Sequence, residues 1–210
     1  MHRDKWGRWA LMFHPDLLHG TQLGRLIKNH SFFSYMIHEA LHTSTEERIT
    51  VIDCLRRIEK ELTRGIDKNS KKLIASNNEL LLNYCERFYD RQFITRDHVN
   101  KDIPTRFEDL LNYYFSSGKA SEEGIPSVAY CASQLNLSAN YFGDLIKNDS
   151  GVTPQEYIQQ KLVEVAKERV FDVGKSIAEV SYELGFKYPQ HFIRLFKQKV
   201  GCTPKEFRTK

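Results

Sequence analysis

Cysteine is scarce in this chain and never occurs as a CxxC pair. The four cysteines are scattered and lie among apolar residues with helical spacing: Cys54, Cys85, Cys131 and Cys202. Such a pattern favours reduced core residues over a framework of disulfides or a cysteine-based metal site. We therefore expect four reduced thiols in a cytoplasmic protein.

Long apolar runs are also missing. No stretch approaches the roughly 20 apolar residues that a membrane-spanning helix needs. The chain starts with charged residues and has no apolar segment behind them, so no secretory signal is evident. We expect a cytoplasmic location and no membrane partner.

A large net charge is the third absence, because the formal charge is only +4 at pH 7. Its distribution is uneven, however, since residues 187–210 contain seven basic residues and one acid, Glu206, a local charge of +6. The basic residues are Lys187, Arg194, Lys197, Lys199, Lys205, Arg208 and Lys210. The cluster is either a solvated basic tail or a face that contacts phosphates.

Helical periodicity dominates from residue 43 onward. Apolar residues recur at helical steps in two segments: Ile49, Ile52, Leu55, Ile58 and Leu62, then Leu73, Leu80, Leu81, Tyr84 and Phe88. Thr43 with Glu46 predicts a capping box at the start of the first helix, and Gly65 predicts its end. The pattern predicts an antiparallel hairpin over 43–98, and we expect residues 44–90 to dimerise or to pack on another domain.

Residues 1–42 have a different character. Aromatic and aliphatic residues from Trp6 to Phe13 predict a short strand, and His14-Pro15-Asp16 a turn. We interpret 1–42 as the remnant of a β-rich N-terminal domain. The polar stretch Arg91–Pro104 is the predicted linker, and Thr105 with Glu108 predicts the capped start of a helix that Gly118 ends, followed by a loop over Ser121–Pro126.

The chain repeats one unit. Residues 140–157 and 190–207 are identical at seven of eighteen positions, and upstream the match continues at an offset of 49 from Val128 to Leu137. The identical pairs are Phe142/Phe192, Leu145/Leu195, Lys147/Lys197, Gly151/Gly201, Thr153/Thr203, Pro154/Pro204 and Glu156/Glu206. The sequence therefore predicts the same structure twice.

Each copy has the pattern of a helix-turn-helix. Small Ala132 allows the second helix to cross closely, and Asn136 falls where a left-handed turn residue is needed. In the second copy the corresponding residues are Ser181 and Gly185, and Ser176 with Glu179 predicts a helix cap. Two ordinary helical hairpins would explain the apolar spacing but not the repeated turn chemistry.

Thr-Pro-x-Glu follows each copy, at residues 153–156 and 203–206. Threonine caps a helix, proline suits its first position, and glutamate completes a capping box. The first of these motifs predicts a long helix from Pro154 through Val170. We expect this helix to hold two recognition helices about 34 Å apart, the distance between successive major grooves.

These residues resemble the AraC/XylS family of bacterial regulators over about residues 105–210. The most specific stretches are Ser176–Phe186 and Phe192–Pro204. The resemblance implies a mainly α fold, with helix-turn-helix motifs at 127–149 and 176–200 joined by a long linker helix. A helical hairpin and a short β-strand remnant precede them, as a truncated sensor or dimerisation part.

The resemblance implies sequence-specific binding of double-stranded DNA, usually by an activator that recruits RNA polymerase. In the second copy we expect Tyr188, Gln190, His191 and Arg194 to face bases, with Arg194 on guanine and Gln190 on adenine. Lys187, Lys197 and Lys199 are placed for phosphates. The exposed positions predicted in the first copy are Asn140, Tyr141, Gly143, Asp144 and Lys147.

The two copies differ in charge. The segment from Ser127 to Tyr157 contains three acidic residues and one basic residue, a local charge of −2. They are Asp144, Asp149, Glu156 and Lys147. Asp144 occupies the position of Arg194 and would repel phosphate. We therefore expect the second copy to supply most of the affinity.

Two other hypotheses stay open. His38-Glu39-Ala40-Leu41-His42 fits the H-E-x-x-H pattern of zinc proteases, with Glu59, Glu61 or His98 as a third ligand. Predicted capping at Thr43 places His42 outside the helix that such a site needs, so we expect no enzyme, no metal and no cofactor. Alternatively, the chain is a helical interaction module without a DNA role, which would show no salt-dependent binding to duplex DNA.

Overall fold

The computed structural model describes residues 2–3, 9–65, 67–95 and 102–209. It divides into an N-terminal unit, residues 1–95, and a C-terminal unit, residues 96–210. The regular structure that it describes is helical apart from two short strands, which confirms the predicted mainly α class. None of the described helices is long and apolar enough to span a bilayer.

The N-terminal unit begins with short elements. β1 (His2–Arg3) pairs antiparallel with β2 (Trp9–Ala10). After β2 come α1 and four 3-10 turns: α1 is Gln22–Leu26, and the turns are Pro15–Leu17, Ile27–Asn29, Ser31–Ser34 and Ile37–Glu39. The predicted strand is thus limited to Trp9–Ala10 within residues 9–42, and Trp6 lies outside the described residues. That 1–42 is the remnant of a β-rich domain stays a prediction.

Two long helices form the predicted hairpin. α2 is Thr45–Thr63 and α3 is Ser70–Thr95, joined by a turn that contains Gly65 at φ 89°. The guanidinium of Arg91, near the end of α3, donates to the carboxylate of Glu47 at the start of α2 over 2.7 Å. The helices are therefore antiparallel. Arg91–Thr95, predicted as linker, belong to α3, and residues 96–98 lie outside the described part.

The cap of α2 lies one residue later than predicted. Ser44, not Thr43, accepts the N–H of Glu47 at 3.2 Å, and the Glu47 carboxylate accepts the N–H of Ser44 at 2.8 Å. Burial raises the pKa of this carboxyl, but the Ser44 N–H and the Arg91 guanidinium outweigh burial and leave the pKa below its ordinary value. The contact with Arg91 selects Glu47 over Glu46, and local spacing does not reveal it.

Residues 9–32 cover part of the hairpin. Leu18 and Leu23 pack with Leu82 of α3, and Trp9 and Leu11 pack on a cluster that includes Leu55. The predicted apolar stripes are buried only in part. Buried positions are Leu55, Ile58, Leu81 and Phe88, whereas Ile49, Leu62, Leu73 and Leu80 are exposed.

The C-terminal unit contains eight described helices: α4 (Asp102–Ser116), α5 (Lys119–Glu123), α6 (Val128–Gln134), α7 (Ala139–Ser150), α8 (Pro154–Val170), α9 (Ile177–Glu183), α10 (Pro189–Val200) and α11 (Pro204–Arg208). α4 starts before the predicted cap, so Thr105 lies inside the helix and forms no capping box there. Proline in a first turn removes only an N–H that has no helical partner, so Pro104 permits this early start. The predicted loop at Ser121 begins inside α5.

Aromatic side chains form the core of the C-terminal unit. Phe107 of α4 meets Phe142 of α7 edge-on with ring centroids 4.9 Å apart. Phe192 and Phe196 of α10 pack at 5.7 Å, and Phe196 meets Phe207 of α11 at 5.5 Å. α8 has 17 residues, a length of about 25 Å at the helical rise.

The four thiols are free. Burial raises the pKa of Cys131 to about 11, and burial, with a smaller effect of Cys54, raises that of Cys85 to about 11. These two thiols are therefore protonated and weakly nucleophilic at neutral pH. Cys202 differs from the prediction, because it lies half-buried in the turn between α10 and α11 rather than on a helix.

Candidate nucleic-acid interface

The first motif consists of α6, a turn and α7. Ser127 caps α6 by accepting the N–H of Tyr130 at 3.1 Å, and Ser138 caps α7 by accepting that of Tyr141 at 3.2 Å. Asn136 in the turn has φ 58°, the left-handed conformation predicted for it. Ala132 is buried with almost no exposed surface, so α7 crosses close to α6.

The second motif consists of α9, a turn and α10. Ser176 accepts the N–H of Glu179 at 3.1 Å, and the Glu179 carboxylate accepts the N–H of Ser176 at 2.7 Å, which confirms the predicted capping box. Gly185 in the turn has φ 89°. α10 begins at Pro189, whose missing N–H costs nothing at the first helical position.

The same hydrogen bond closes both turns. Leu137 donates its N–H to the carbonyl of Ala132 at 2.9 Å, and Phe186 donates to that of Ser181 at 3.1 Å. Both donor and acceptor are separated from their counterparts by 49 residues, the offset of the sequence repeat. The two motifs are therefore one local fold repeated.

α10 has an exposed polar face. Phe192 and Phe196 are buried, whereas all predicted DNA contacts of this copy are exposed: Lys187, Tyr188, Gln190, His191, Arg194 and Lys197. Because Gln190, Arg194 and Lys197 are spaced by four and three residues, they lie along one side of the helix. The rings of Tyr188 and His191 are 5.6 Å apart at the start of this face.

The sequence hypotheses omitted one residue of this face, Ile193. Its side chain is 37% exposed although it is a large aliphatic residue on a helix that buries its neighbour Phe192. Apolar side chains at such positions can contact the methyl group of thymine. The sequence could have indicated this exposure, because Ile193 directly precedes Arg194 and does not belong to the stripe of Phe192 and Phe196.

α7 offers less to a partner. Asn140 and Lys147 are exposed, and Gly143 and Asp144 are half-buried. The expectation that Tyr141 is exposed was wrong, because only 3% of its surface is accessible. Positions 138, 141, 142 and 145 form one helical stripe towards the core, whereas the counterpart of Tyr141 in α10, His191, is exposed.

The basic cluster of 187–210 is not wholly available to phosphates. Arg208 is half-buried, and its Nε donates to the carbonyl of Val170, the last residue of α8, at 2.5 Å. Lys199 and Lys205 are exposed, and Lys210 lies outside the described residues. The local positive charge open to a partner is therefore smaller than the sequence count.

A carboxylate at the start of α8 is attracted by one lysine of each motif. Glu156, the capping glutamate of α8, has a lowered pKa, first because the Thr153 N–H donates to it and, to a smaller extent, because Lys199 and Lys147 attract it. These lysines belong to α10 and α7 respectively. Basic residues of both motifs thus contribute to the electrostatic environment of the N-terminus of α8.

The H-E-x-x-H segment does not form one helical face. His38 lies in the 3-10 turn Ile37–Glu39, and the Glu39 carboxylate is buried and accepts the N–H of Met36 at 2.6 Å. His42 follows the turn, and its N–H donates to Gln92 at 2.7 Å. Within the described part of the chain no three metal-ligating side chains come together, and His98 lies outside that part.

Comparisons with known proteins found similarity to helix-turn-helix proteins. Residues 131–210 match the family described as a helix-turn-helix domain. The bifunctional transcriptional activator/DNA repair enzyme AdaA of Bacillus subtilis is 40% identical over 111 residues, 52% of this chain and 51% of that protein. The HTH-type transcriptional activator RhaS of Escherichia coli is 29% identical over 77 residues, 37% of this chain and 28% of that protein.

A solved structure is also similar: a transcriptional regulator from Chromobacterium violaceum, of the proteins that contain an AraC-type DNA-binding domain. It is 24% identical, and the match covers 49% of this chain and 91% of that one with a TM-score of 0.41. The chain spans about half or less of the length of the two curated relatives described above.

Proposed function

We propose that this chain is an AraC-type transcription regulator, because residues 131–210 match a helix-turn-helix domain and two similar proteins are named as transcriptional activators. In this proposal it regulates transcription by inserting α7 and α10 into successive major grooves of double-stranded DNA. The observation that carries the proposal is the exposed face of α10, where base-reading and phosphate-binding side chains lie together on a helix anchored by buried phenylalanines. Duplicated turns and a rigid connecting helix support the two-groove arrangement.

The second motif does most of the reading in this proposal. Arg194 donates two hydrogen bonds to a guanine, Gln190 pairs with an adenine, and Ile193 contacts a thymine methyl group. Tyr188 and His191 lie beside them at the groove. Lys187, Lys197 and Lys199 bind backbone phosphates and position the helix.

The first motif contributes less. Asn140 and Lys147 are its exposed polar side chains, and Gly143 presents no side chain to a base. Asp144 repels phosphate and is limited to accepting a hydrogen bond, for example from cytosine. Tyr141 supports α7 from the core side rather than touching DNA.

Regulation itself requires partners. We propose activation through RNA polymerase, in keeping with the two relatives that are named as activators. A homodimer through residues 44–90 is supported by the exposed leucines and isoleucines of α2 and α3. We further propose a cytoplasmic, non-catalytic protein. The repair activity in the name of AdaA belongs to that protein, of which this chain covers 51%.

Selection from a random duplex library tests the proposal. The full chain should enrich a site with two half-sites about 10 base pairs apart centre to centre. Its affinity for the enriched site should fall steeply between about 50 and 200 mM salt, because lysines and arginines displace counterions from phosphates. Failure to enrich any sequence, with no salt-dependent binding, would contradict DNA binding and favour the interaction-module hypothesis.

A further inference from the structure

Arg169, near the C-terminal end of α8, connects three helices. One nitrogen of its guanidinium donates to the carbonyl of Phe115 in the last turn of α4. Another donates to the carbonyl of Glu183, the last residue of α9, at 3.3 Å and lies 3.9 Å from the Glu183 carboxylate. Lys175 completes the group with a 2.6 Å ion pair to the same carboxylate.

The two carbonyls are ones that a helix leaves without a partner. The last four carbonyls of an α-helix have no helical N–H to accept, and the negative end of the helix dipole lies there. A planar guanidinium presents several N–H groups in a fixed geometry, so one side chain can satisfy two such ends at once. Arg169 therefore caps α4 and α9 together, with only about a quarter of its side chain exposed.

α4 also reaches both motifs. Near its start, Phe107 packs on Phe142 of the first motif, and its end is held through Arg169 to the second. The turn of the second motif touches the segment that follows α4, because a Cβ on Gly185 would lie 2.7 Å from the backbone of Gly124 and 2.8 Å from that of Ala120. The two motifs are thus connected both by α8 and by contacts with α4.

We infer that Arg169 is a positioning residue that sets the spacing and relative orientation of the two recognition helices, by tying the second motif and α4 to the end of α8. The inference rests on the proposed binding of DNA through both motifs. It also gives α4 a role in placing the two helices on DNA, although α4 precedes the residues matched by the helix-turn-helix family.

Changing the spacing of the DNA half-sites tests the role of Arg169. The full chain is measured against the selected duplex, against duplexes with the half-sites one base pair closer or farther, and against the half-site of the second motif alone. One base pair moves a half-site by about 3.4 Å and turns it by about 34°. The wild-type chain should prefer the selected spacing by at least about fivefold.

Three variants separate positioning from charge. Arg169→Met should bind the altered spacings within about twofold of the selected one while binding the single half-site as the wild type does. Arg169→Lys keeps the charge but lacks the planar guanidinium that donates to both carbonyls. Its preference for the selected spacing should therefore be intermediate. Lys167→Met is the control, because it removes the same charge from an exposed position of α8 and should keep the full preference.

The outcomes are distinguishable. A wild-type chain that binds none of the duplexes would overturn the proposed function and this inference with it. If Arg169→Met keeps the spacing preference of the wild type, only the inference is overturned. The inference is also overturned if Arg169→Met loses as much affinity for the single half-site as for the full site, which would indicate a general folding role. If Arg169→Met does not fold, the lysine variant decides, and a folded Arg169→Lys with wild-type preference overturns the role.

Discussion

The first and second motifs share a scaffold and differ in surface. Both close their turns with the same hydrogen bond and begin their second helix at equivalent positions. Asp144 lies where α10 has Arg194, and buried Tyr141 lies where α10 has exposed His191. Phe142 and Phe192 are buried at equivalent positions of the two copies, whereas the exposed residues of the second helices differ. A duplicated fold therefore does not imply duplicated affinity.

The turn residues should show the largest difference between the motifs. Gly185→Ala places a Cβ 2.7–2.8 Å from backbone atoms of residues 120–125 at a φ of 89°. We expect a loss of about 3 kcal/mol in the free energy of unfolding, from backbone strain and overpacking. Asn136→Ala at φ 58° adds strain of only about 1 kcal/mol. Denaturant unfolding of both variants measures this, and equal losses would contradict the close approach at Gly185.

Reversing the charge of the first motif should raise affinity. Asp144→Arg replaces a carboxylate by the residue that the second motif has at this position, so we expect binding about tenfold tighter at low salt. Asp109→Arg on α4 makes the same change of charge outside both recognition helices and serves as control. A gain of the same size in the control would show a general charge effect, and no gain at Asp144 would contradict the proposed contact of α7 with DNA.

Exchanging the small residues at the helix crossings should have a smaller effect. Among the residues that the structure describes, none is a hydrogen-bond partner of the buried Ser181 hydroxyl, whereas the first motif has Ala132 at this position. Ser181→Ala should therefore raise the free energy of unfolding by about 1 kcal/mol, and Ala132→Ser should lower it similarly. Thermal unfolding of both variants is the measurement. Destabilisation by Ser181→Ala would mean that the hydroxyl has a partner.

Acid should loosen the second motif slightly more than the first. The Ser176 N–H donates to the Glu179 carboxylate and lowers its pKa below the ordinary 4.5. The stabilisation is complete above that value and is lost as the pH falls below it, through the lowered pKa of the folded state. α6 has Tyr130 where α9 has Glu179. Amide hydrogen exchange between pH 6 and pH 3 should therefore show fraying at Ser176 in the wild type but not in Glu179→Gln, which lacks the titrating group.

Local patterns predicted several helix starts and one turn of the C-terminal unit correctly. Spacings of three and four residues specify helix faces, and Ser-x-x-Glu or Thr-Pro-x-Glu specifies helix starts, so the caps at Ser176, Thr153 and Thr203 were predicted at the correct residue. The requirement for a left-handed residue similarly located Asn136. Each of these signals lies within a few residues of the chain.

Contacts between distant residues were not predictable in this way. The pairing of Arg91 with Glu47 decides which residue caps α2, and the bonds of Arg169 and Arg208 to helix ends cross 14 to 54 positions. A basic residue near the end of a helix looks the same in sequence whether it faces solvent or a neighbouring carbonyl. Tyr141 was misplaced for a related reason, because an amphipathic tyrosine suits a core as well as a groove.

The unequal roles of the two motifs are tested most directly by one pair of variants at equivalent positions. Binding to the selected duplex is measured for Arg194→Ala and Asp144→Ala under identical salt conditions, after both are shown to be folded. We predict that Arg194→Ala loses about 5- to 150-fold in affinity, the cost of a bidentate guanine contact, while Asp144→Ala loses none. Equal losses, or a larger loss at Asp144, would contradict the account.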